Sequence, residues 1–189
     1  MPKPNERSAN YDYYADILWC CVPLMVMAWF YYGPRPLLLM LVGLFTAYIC
    51  DCLVTPLHGP QYRSHEPSSE AFAALIVLMM PASVPYGIVV AAVIMAVLLK
   101  ETFGGEGHYP FHPAAVGMAV AALSWPDQVF RYPVPGTELP LWHVPADTLS
   151  AGMNTTLSSG GLPSDTTMNL LTGSVAGPLG TGAILVILA

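Results

Sequence analysis

The sequence predicts an all-α integral membrane protein, a polytopic bundle of helices in which some helices are short and broken. Three observations support this prediction. More than half of the residues are hydrophobic (54%) and only 10% are charged, whereas a soluble domain carries about 25% charged residues. Three long uncharged stretches follow one another between residues 16 and 100. Prolines interrupt the third stretch at positions where a spanning helix has to be continuous.

The composition also excludes several classes of protein. A soluble fold of 189 residues cannot cover so much apolar side chain, because much of the surface of a small fold stays in water. The net charge of −6 comes from scattered acidic residues without a basic patch, so no nucleic-acid partner is expected. No Ser-His-Asp pattern, Walker loop or dinucleotide-binding GxGxxG motif is present, and no catalytic side chain is therefore predicted.

The cysteines lie inside the first two apolar stretches. Disulfide frameworks belong to oxidised, loop-rich settings, so these thiols are interpreted as packing groups. Cys50-x-Cys52 is a weak metal motif because no second pair follows at zinc-site spacing, and no metal site is predicted.

Two helices of spanning length are predicted first. Residues 1–14 form a polar N-terminal segment, and a helix is predicted from about Ala15 to Tyr32, where Gly33-Pro34 ends it. A second helix is predicted from about Pro36 to Val54. Both have about the length that a hydrocarbon core requires, which is roughly 20 residues.

The few basic residues give an orientation. Lys3 and Arg7 precede the first helix, which favours a cytoplasmic N-terminus in a multi-pass protein of the inner membrane. Arg35 is then expected outside and Arg63 inside.

The third apolar stretch, residues 71–99, is too long for one straight helix. At 1.5 Å per residue it would measure about 43 Å, against about 30 Å for a hydrocarbon core. Pro81 and Pro85 lie in its middle and break helical hydrogen bonding. A short helix is therefore predicted from Ser69 to Met80 and a longer one from about Val84 to Lys100. Such breaks in membrane helices tend to hold ligands.

Polar residues flank these apolar segments. Ser68 or Ser69 is expected to cap the first short helix, with Glu70 in its opening turn. Asp51 and Glu70 are acids next to apolar sequence, and intramembrane acids often line ion paths. A position at the membrane interface is the alternative that we favour for both.

The remaining sequence divides into three parts. A glycine-rich turn leads into a helix predicted from Pro113 to Trp125, which completes a membrane region over residues 15–125. Residues 126–167 are rich in Pro, Gly, Ser and Thr and are predicted to form a long extramembrane loop, which is typical of a functional or a disordered segment. Residues 168–189 are expected to start a further membrane helix, and we expect the chain to be part of a longer protein because it stops within an apolar run at Ala189.

The segment KETFGGEGHYPFHPAAVG, residues 100–117, resembles a signature of the RnfD and NqrB family, membrane proteins of the Rnf and Nqr electron-transport complexes. That signature usually reads lysine, a few residues, then phenylalanine-GGxGxNPFNPA. The matching positions are Lys100, Phe103, Gly104, Gly105, Gly107, Pro110, Phe111, Pro113 and Ala114. GPLGTGAILVIL near the C-terminus resembles the family's GSLGETSALAIL, with Thr181 at the usual glutamate position. The order of elements agrees over roughly residues 15–189.

The resemblance implies both a fold and a function. The family builds pseudo-repeated membrane helices, so this chain would be one part of an inverted-repeat fold. Its members carry flavin and pass electrons within a multi-subunit complex that couples redox chemistry to Na⁺ or H⁺ transport; Rnf complexes connect ferredoxin and NAD. The implied partners are other Rnf- or Nqr-type membrane subunits, iron–sulfur and flavin subunits, and the lipid bilayer.

The resemblance also implies a site for the cofactor FMN. Family members join FMN by a phosphodiester to a threonine in a motif like D-x-x-[ST]-G-A-T-P-L, and ADTLSAGMNTTLSSG is the matching region here. Asp147 and Ser150 match its start. Without a gap Met153 stands where the threonine belongs, and with two extra residues Thr155 does; Thr156 is the next choice. Covalent and noncovalent binding of FMN both remain open.

The resulting hypothesis has Thr155 as the FMN anchor, with Asp147, Ser150 and a glycine turn around the cofactor. That turn consists of Gly104, Gly105 and Gly107. A second flavin site is a further expectation. The alternatives are a cofactor-free scaffold subunit of the same complex and a channel or secondary transporter with broken helices.

Overall fold

The computed structural model describes residues 4–54, 67–103, 109–161 and 167–181. These residues are mostly helical, as the sequence predicts. The helices are α1 (Pro4–Tyr32), α2 (Arg35–Val54), α3 (Ser68–Met79), α4 (Tyr86–Thr102), α5 (Pro113–Ser124), α6 (Pro126–Val129), α7 (Met153–Ser158) and α8 (Thr167–Thr172). Two short strands are β1 (Arg131–Pro133) and β2 (Leu149–Ala151).

The first two helices have the length and hydropathy of membrane spans. The qualifying segments are Tyr11–Tyr32, with a mean hydropathy of 1.5, and Arg35–Val54, with 2.3. Only 22% and 28% of these spans are buried inside the protein, whereas the core helix of a soluble protein is mostly buried. Trp19 and Phe30 are among the large apolar side chains that they expose. A lipid environment accounts for this exposure.

The boundaries of α1 differ from the prediction. The helix begins at Pro4 instead of Ala15, so the polar segment before the apolar stretch is already helical. Hydropathy identifies only the part of a helix that suits lipid, and residues 5–14 contain neither glycine nor proline to interrupt it. The second helix was predicted within one residue of its observed start and ends at Val54 as expected.

Helix α3 lies at the centre of the bundle. It contacts α1, α2, α4 and α5, and nearly all of its side chains are buried. Helix α2 faces it with a stripe that repeats every four residues: Arg35, Leu39, Gly43, Ala47 and Asp51. Gly43 allows close contact, because a Cβ there would lie 3.0 Å from Cγ2 of Val77.

The predicted interruption between the two apolar helices is confirmed. Helix α3 ends at Met79, α4 begins at Tyr86, and residues 80–84 between them are buried. Buried backbone outside a helix must find other hydrogen-bond partners. The partners of this segment therefore decide whether the break is open to a ligand.

Arg35 supplies most of these partners. The Arg35 side chain is only 1% exposed. Its guanidinium carbon Cζ lies 5.2 Å from the centroid of the Tyr86 ring. The guanidinium donates to the carbonyl oxygens of Ala82 (2.8 Å), Ser83 (3.3 Å), Val84 (3.1 Å), Pro140 (2.8 Å) and Leu141 (2.8 Å). One side chain thus joins the break to the segment that follows β1.

Two backbone N–H groups bind further carbonyls next to the break. The N–H of Leu179 donates to the carbonyl of Met80 over 3.1 Å, and that of Gly180 donates to the carbonyl of Leu78 over 2.7 Å. A Cβ on Gly180 would lie 3.0 Å from Cβ of Leu78, so glycine allows this approach. The expectation that the break holds a ligand is therefore wrong for these carbonyls, which are bound by the protein itself.

Hydrogen bonds fix the height of the break along the bundle. Ser69 Oγ donates to Asp51 Oδ1 at one end of α3, and Ala82 accepts from Arg35 beyond the other end. Residues 35–51 of α2 rise about 24 Å, so the break lies level with the turn between α1 and α2. We call this level the Arg35 end and the opposite level, where Lys100 lies, the Lys100 end.

The segment after α5 is partly ordered at the Arg35 end. Strands β1 and β2 pair antiparallel, with Tyr132 opposite Ser150, and Ser83 Oγ donates to the carbonyl of Arg131 over 3.1 Å. Helix α8 ends at Thr172, and residues 173–181 are not helical. A helix running on from Met168 is thus not observed there, and residues 182–189 lie outside the described residues.

The crossing of α4 and α5 yields a stability prediction. A Cβ on Gly117 would lie 2.5 Å from the carbonyl oxygen of Ala92 and 2.8 Å from Cδ1 of Ile76. We expect Gly117→Ala to lower the free energy of unfolding by about 1–3 kcal/mol because the helices must separate. The measurement is the temperature at which the detergent-solubilised protein loses its monodisperse size-exclusion peak. Gly87→Ala is the control, since nothing lies within 4 Å of a Cβ there; equal transition temperatures would contradict the close crossing.

Arg35 yields a second prediction. In Arg35→Lys the charge remains, but an ammonium group cannot reach five carbonyls on two segments. We expect a loss of about 2–4 kcal/mol in the free energy of unfolding, because buried carbonyls lose their donors. Arg131→Lys is the matched control: its side chain is 58% exposed and pairs with Asp127 over 3.8 Å. Thermal unfolding of the two variants side by side measures the difference, and equal losses would refute the role given to Arg35.

Candidate functional site

Five buried polar side chains meet at the Lys100 end. We call them the Lys100 cluster: Asp51, Ser68, Ser69, Lys100 and Glu101. Lys100 Nζ donates to Ser68 Oγ over 2.7 Å and to Ser69 Oγ over 2.9 Å. Ser69 Oγ donates in turn to Asp51 Oδ1 over 2.8 Å, and Lys100 Nζ lies 3.6 Å from Glu101 Oε1. The cluster is a continuous buried network of charges and hydroxyls.

Three helix ends bring these groups together. Asp51 lies in the last turn of α2, the serines open α3, and Lys100 and Glu101 lie in the last turn of α4. A cation at the C-terminal end of a helix is favoured by the helix dipole. Because α3 packs antiparallel to α4, the Lys100 ammonium at the end of α4 lies next to the Ser68 and Ser69 hydroxyls at the start of α3.

The expected cap of α3 is wrong. Pro67 occupies the N-cap position, and no side-chain hydrogen bond caps the helix. Ser68 and Ser69 lie inside the first turn, and Lys100 donates to both hydroxyls. Asp51 is only 8% exposed and lies inside the bundle in the last turn of α2, and its expected position at the membrane interface stays a prediction.

Glu70 lies beside this cluster. Its Oε2 atom is buried and has no hydrogen-bond partner in the described part of the chain. A buried carboxylate oxygen without a donor is costly, so this oxygen marks a position where a further positive charge or proton would be stabilised.

An aromatic group adjoins the same end. Phe72 packs edge-on against Tyr14, Tyr109 and His112, with ring centroids 5.7, 5.9 and 5.1 Å away. The hydroxyls of Tyr14 and Tyr109 are 3.2 Å apart. His112 is exposed and precedes α5, consistent with a solvated histidine. This group fixes the start of α5 against α1 and α3.

The two described residues that flank the predicted glycine turn, Phe103 and Tyr109, lie at this end. Gly104, Gly105 and Gly107 lie outside the described residues, but Phe103 directly follows α4 and Tyr109 joins the aromatic group. The chain therefore leaves and re-enters the described structure at the Lys100 end.

The threonine segment lies at the Arg35 end. Asp147 is exposed, and Ser150 Oγ donates to the carbonyl of Tyr132 over 3.2 Å within the strand pair. Thr156 is exposed on α7, and its hydroxyl donates to the carbonyl of Gly152 over 3.2 Å. Thr155 lies in the same helix, and its side chain is outside the described part of the structure.

The ring of Tyr132 packs on this segment. A Cβ on Gly152 would lie 2.7 Å from Cε2 of Tyr132, so glycine lets the ring cover the start of α7. Burial raises the pKa of the Tyr132 hydroxyl above its ordinary value. The ring thus stays neutral at physiological pH and acts as an apolar support for the threonine helix.

The structure describes only part of the predicted site. Asp147, Ser150 and Thr156 lie at the Arg35 end, where Ser83, which precedes α4, contacts β1. Gly104, Gly105 and Gly107 follow α4 in sequence and lie outside the described residues. The hypothesis of one cofactor site that joins this turn to Thr155 therefore stays a prediction.

Sequence reasoning missed the two buried cations. Arg35 was noted only for the topology and Lys100 only as a signature position, and both side chains are buried, at most 5% exposed. Each lies at the end of an apolar helix, and an ionisable residue within membrane sequence is itself a functional signal. That signal could have identified both.

Known proteins resemble this chain over much of its length. A protein of Pseudomonas aeruginosa (strain LESB58), named as the D subunit of an ion-translocating oxidoreductase complex, is 31% identical over 129 residues, 66% of this chain and 37% of the relative. A protein of the same name from Colwellia psychrerythraea is 28% identical over 144 residues, 74% of this chain and 38% of the relative. The chain thus matches less than two fifths of the length of these relatives.

The family comparison covers nearly the whole chain, including Arg35, the Lys100 cluster and the threonine segment. The model of the NQR2, RnfD, RnfE family matches residues 5–189. The chain belongs to the NQR2, RnfD, RnfE family.

Proposed function

We propose that this chain is a membrane subunit of an ion-translocating oxidoreductase complex, in which it carries FMN and relays electrons coupled to transport of Na⁺ or H⁺. Family membership and the name shared by its relatives support the complex. Its expected partners are other membrane subunits of the Rnf or Nqr type together with iron–sulfur and flavin subunits. The inner membrane, a multi-pass topology and one part of an inverted repeat follow from the same proposal.

One structural observation supports the flavin best. Residues 156–158 of the threonine-bearing helix α7 are exposed, yet the strand pair and Ser83 connect the segment to the helical bundle. A covalently held carrier requires an accessible hydroxyl on a rigid support, because electron transfer depends on a fixed distance to neighbouring carriers. The exposed position of Thr156 shows that α7 is accessible to solvent at this turn, and the contacts of β1 supply the rigid support.

The residues around α7 suit attachment of FMN at the protein surface better than burial of FMN inside the protein. Thr155 or Thr156 would hold the FMN phosphate, with Ser150 in the supporting strand pair and Asp147 at its exposed edge. When bound, FMN supplies one- and two-electron redox chemistry. The protein's part is to fix the attachment point, while the ring of Tyr132 fixes the start of α7 through Gly152.

A second flavin would belong to the Lys100 end. The turn containing Gly104, Gly105 and Gly107 resembles the family signature, and glycines let backbone N–H groups approach an anion. Tyr14, Phe72 and Tyr109 form an aromatic group at the point where the described chain resumes after this turn. With the N-terminus in the cytoplasm, this site would lie on the cytoplasmic side and the threonine helix on the other side.

The two alternatives make different demands on the structure. A transporter with a substrate site in its broken helix needs open backbone at the break, whereas Arg35 and residues 179–180 bind those carbonyls. A cavity of about 500 Å³ between α1 and α2 has apolar walls that include Cys21, Met25 and Leu41, which suits lipid tails better than ions. A cofactor-free scaffold subunit is distinguished by the experiment below.

Covalent attachment is tested by substitution of the two threonines. The full-length protein is denatured and separated by gel electrophoresis, and flavin fluorescence of its band is measured. We expect fluorescence in the wild type and its loss in Thr155→Ala, because alanine has no hydroxyl to form the phosphodiester. Thr156→Ala is the matched control one residue away in α7 and is expected to keep the signal.

The other outcomes are equally informative. Loss of fluorescence in Thr156→Ala alone would move the attachment point by one residue. Fluorescence that survives both substitutions would exclude covalent attachment at this helix. A wild-type band without fluorescence, together with native protein lacking a flavin spectrum, would favour the scaffold alternative.

A further inference from the structure

Residues 136–141 are held against the end of the first membrane span. The N–H groups of Gly136 and Leu139 donate to the carbonyls of Tyr31 and Tyr32 over 3.2 and 3.3 Å. These two carbonyls belong to the last turn of α1, where a helix has no partners of its own for its carbonyls. The span of α1 ends at Tyr32, so the segment lies at the level where the lipid-facing part of this helix ends.

Trp142 follows this segment and is fixed at the same level. Arg35, the first residue of the second span, donates to the carbonyls of Pro140 and Leu141. The hydroxyl of Tyr86, the first residue of α4, donates to the carbonyl of Leu141 over 2.6 Å. The ends of three helices thus hold the backbone that leads into Trp142, which is itself 88% exposed.

Two further tryptophans lie at this level. Trp29 is exposed in the last turn of α1, and Trp125 is exposed directly after α5. Helix α5 ends at the Arg35 end, because β1 just beyond it contacts Ser83. Three of the four tryptophans in the chain therefore share one level. Tryptophan is enriched at membrane–water interfaces, where its amphipathic ring lies among the lipid headgroups.

The exposed side chains near these tryptophans have mixed polarity. Leu123 and Phe130 are apolar, whereas Asp127, Arg131 and Glu138 carry charge. Exposed charges exclude the depth of the hydrocarbon core, where they are costly. Exposed apolar side chains are in turn unfavourable in bulk water. Both groups are accommodated where the lipid headgroups meet the acyl chains.

A protein partner is the competing explanation for the exposed tryptophans. Helix α1 packs on α2 and α3, whereas α5 packs on α3 and α4, so Trp29 and Trp125 come from different parts of the bundle. One protein partner covers one side of a bundle, whereas a bilayer contacts the bundle around its circumference at a given level. The lipid-facing surface of the two spans also continues directly into this level, which favours lipid as the partner.

We propose that residues 136–142 lie in the membrane interface and anchor this end of the bundle to phospholipid, with Trp142 inserted at the boundary between headgroups and acyl chains. The first part of the loop predicted over residues 126–167 is then attached to the bilayer surface. Strand β1 precedes the anchor and pairs with β2, which leads into α7, so the threonine helix is held close to the membrane. The inference goes beyond the proposed function and depends neither on flavin nor on the transported ion.

Fluorine NMR tests the position of Trp142. The full-length protein is labelled with fluorotryptophan, purified with the subunits that accompany it and placed in phospholipid bilayers. One lipid preparation carries a spin label near the headgroup, and a second carries it at the end of the acyl chain. The resonances that disappear in Trp142→Phe and in Trp19→Phe identify the two residues. Trp19 is the matched reference, because it is exposed near the middle of the span of α1.

We expect the headgroup label to enhance relaxation of the Trp142 resonance more than the acyl-chain label does, and the reverse for Trp19. The ratio of the two enhancements is expected to differ between the residues by about threefold or more, because an interfacial ring lies closer to the headgroups. A Trp142 resonance that neither lipid label enhances, while Trp19 responds, would overturn the proposal, since water or a protein partner would then surround the ring. A preference for the acyl-chain label equal to that of Trp19 would contradict it as well, because the ring would then lie in the hydrocarbon core.

Discussion

The architecture depends on the hydrogen bonds that Arg35 donates to backbone carbonyls. A helix that ends inside a membrane bundle leaves carbonyls without partners, and lipid offers none. The guanidinium binds three carbonyls of the break and two of the segment after β1. Its planar group has donors on three nitrogens, which is why it can join two segments where a lysine could not. The position of α4, and of the threonine segment beyond it, follows from this contact.

This contact also explains why the break lies where it does. Helix α3 is short, but α3 and the extended residues 80–84 together cover the same height as residues 35–51 of α2. The interruption between α3 and α4 therefore lies at one end of the helical bundle and not in its middle. The ligand that such breaks often hold is replaced here by the side chain of Arg35, which binds the carbonyls of the break.

The sequence predicts the helices far better than the contacts between them. Apolar length and proline positions located α2, α3, α4 and α5 to within about two residues, because these signals are local in the chain. Arg35 binds carbonyls 47 or more residues away, and a carbonyl carries no side-chain signature. Ser68 and Ser69 show the same limit. A serine before an apolar helix predicts an N-cap, because that signal is local. In the structure both hydroxyls instead accept hydrogen bonds from Lys100, which lies more than 30 residues later in the chain. The threonine motif could be found in sequence, whereas its attachment to the bundle through β1 and Ser83 could not.

The two buried cations, Arg35 and Lys100, have different surroundings, so the two ends of the bundle differ in their local charge. Arg35 is surrounded by carbonyl dipoles, and the ion pairs of the described residues do not include it. Lys100 lies among carboxylates. A buried uncompensated cation favours negative charge nearby, and an excess of carboxylates favours positive charge. A negatively charged group is thus favoured toward the Arg35 end, and a positively charged group toward the Lys100 end. The 17 residues of α4 measure about 25 Å, so the fold holds these two opposite charge environments apart.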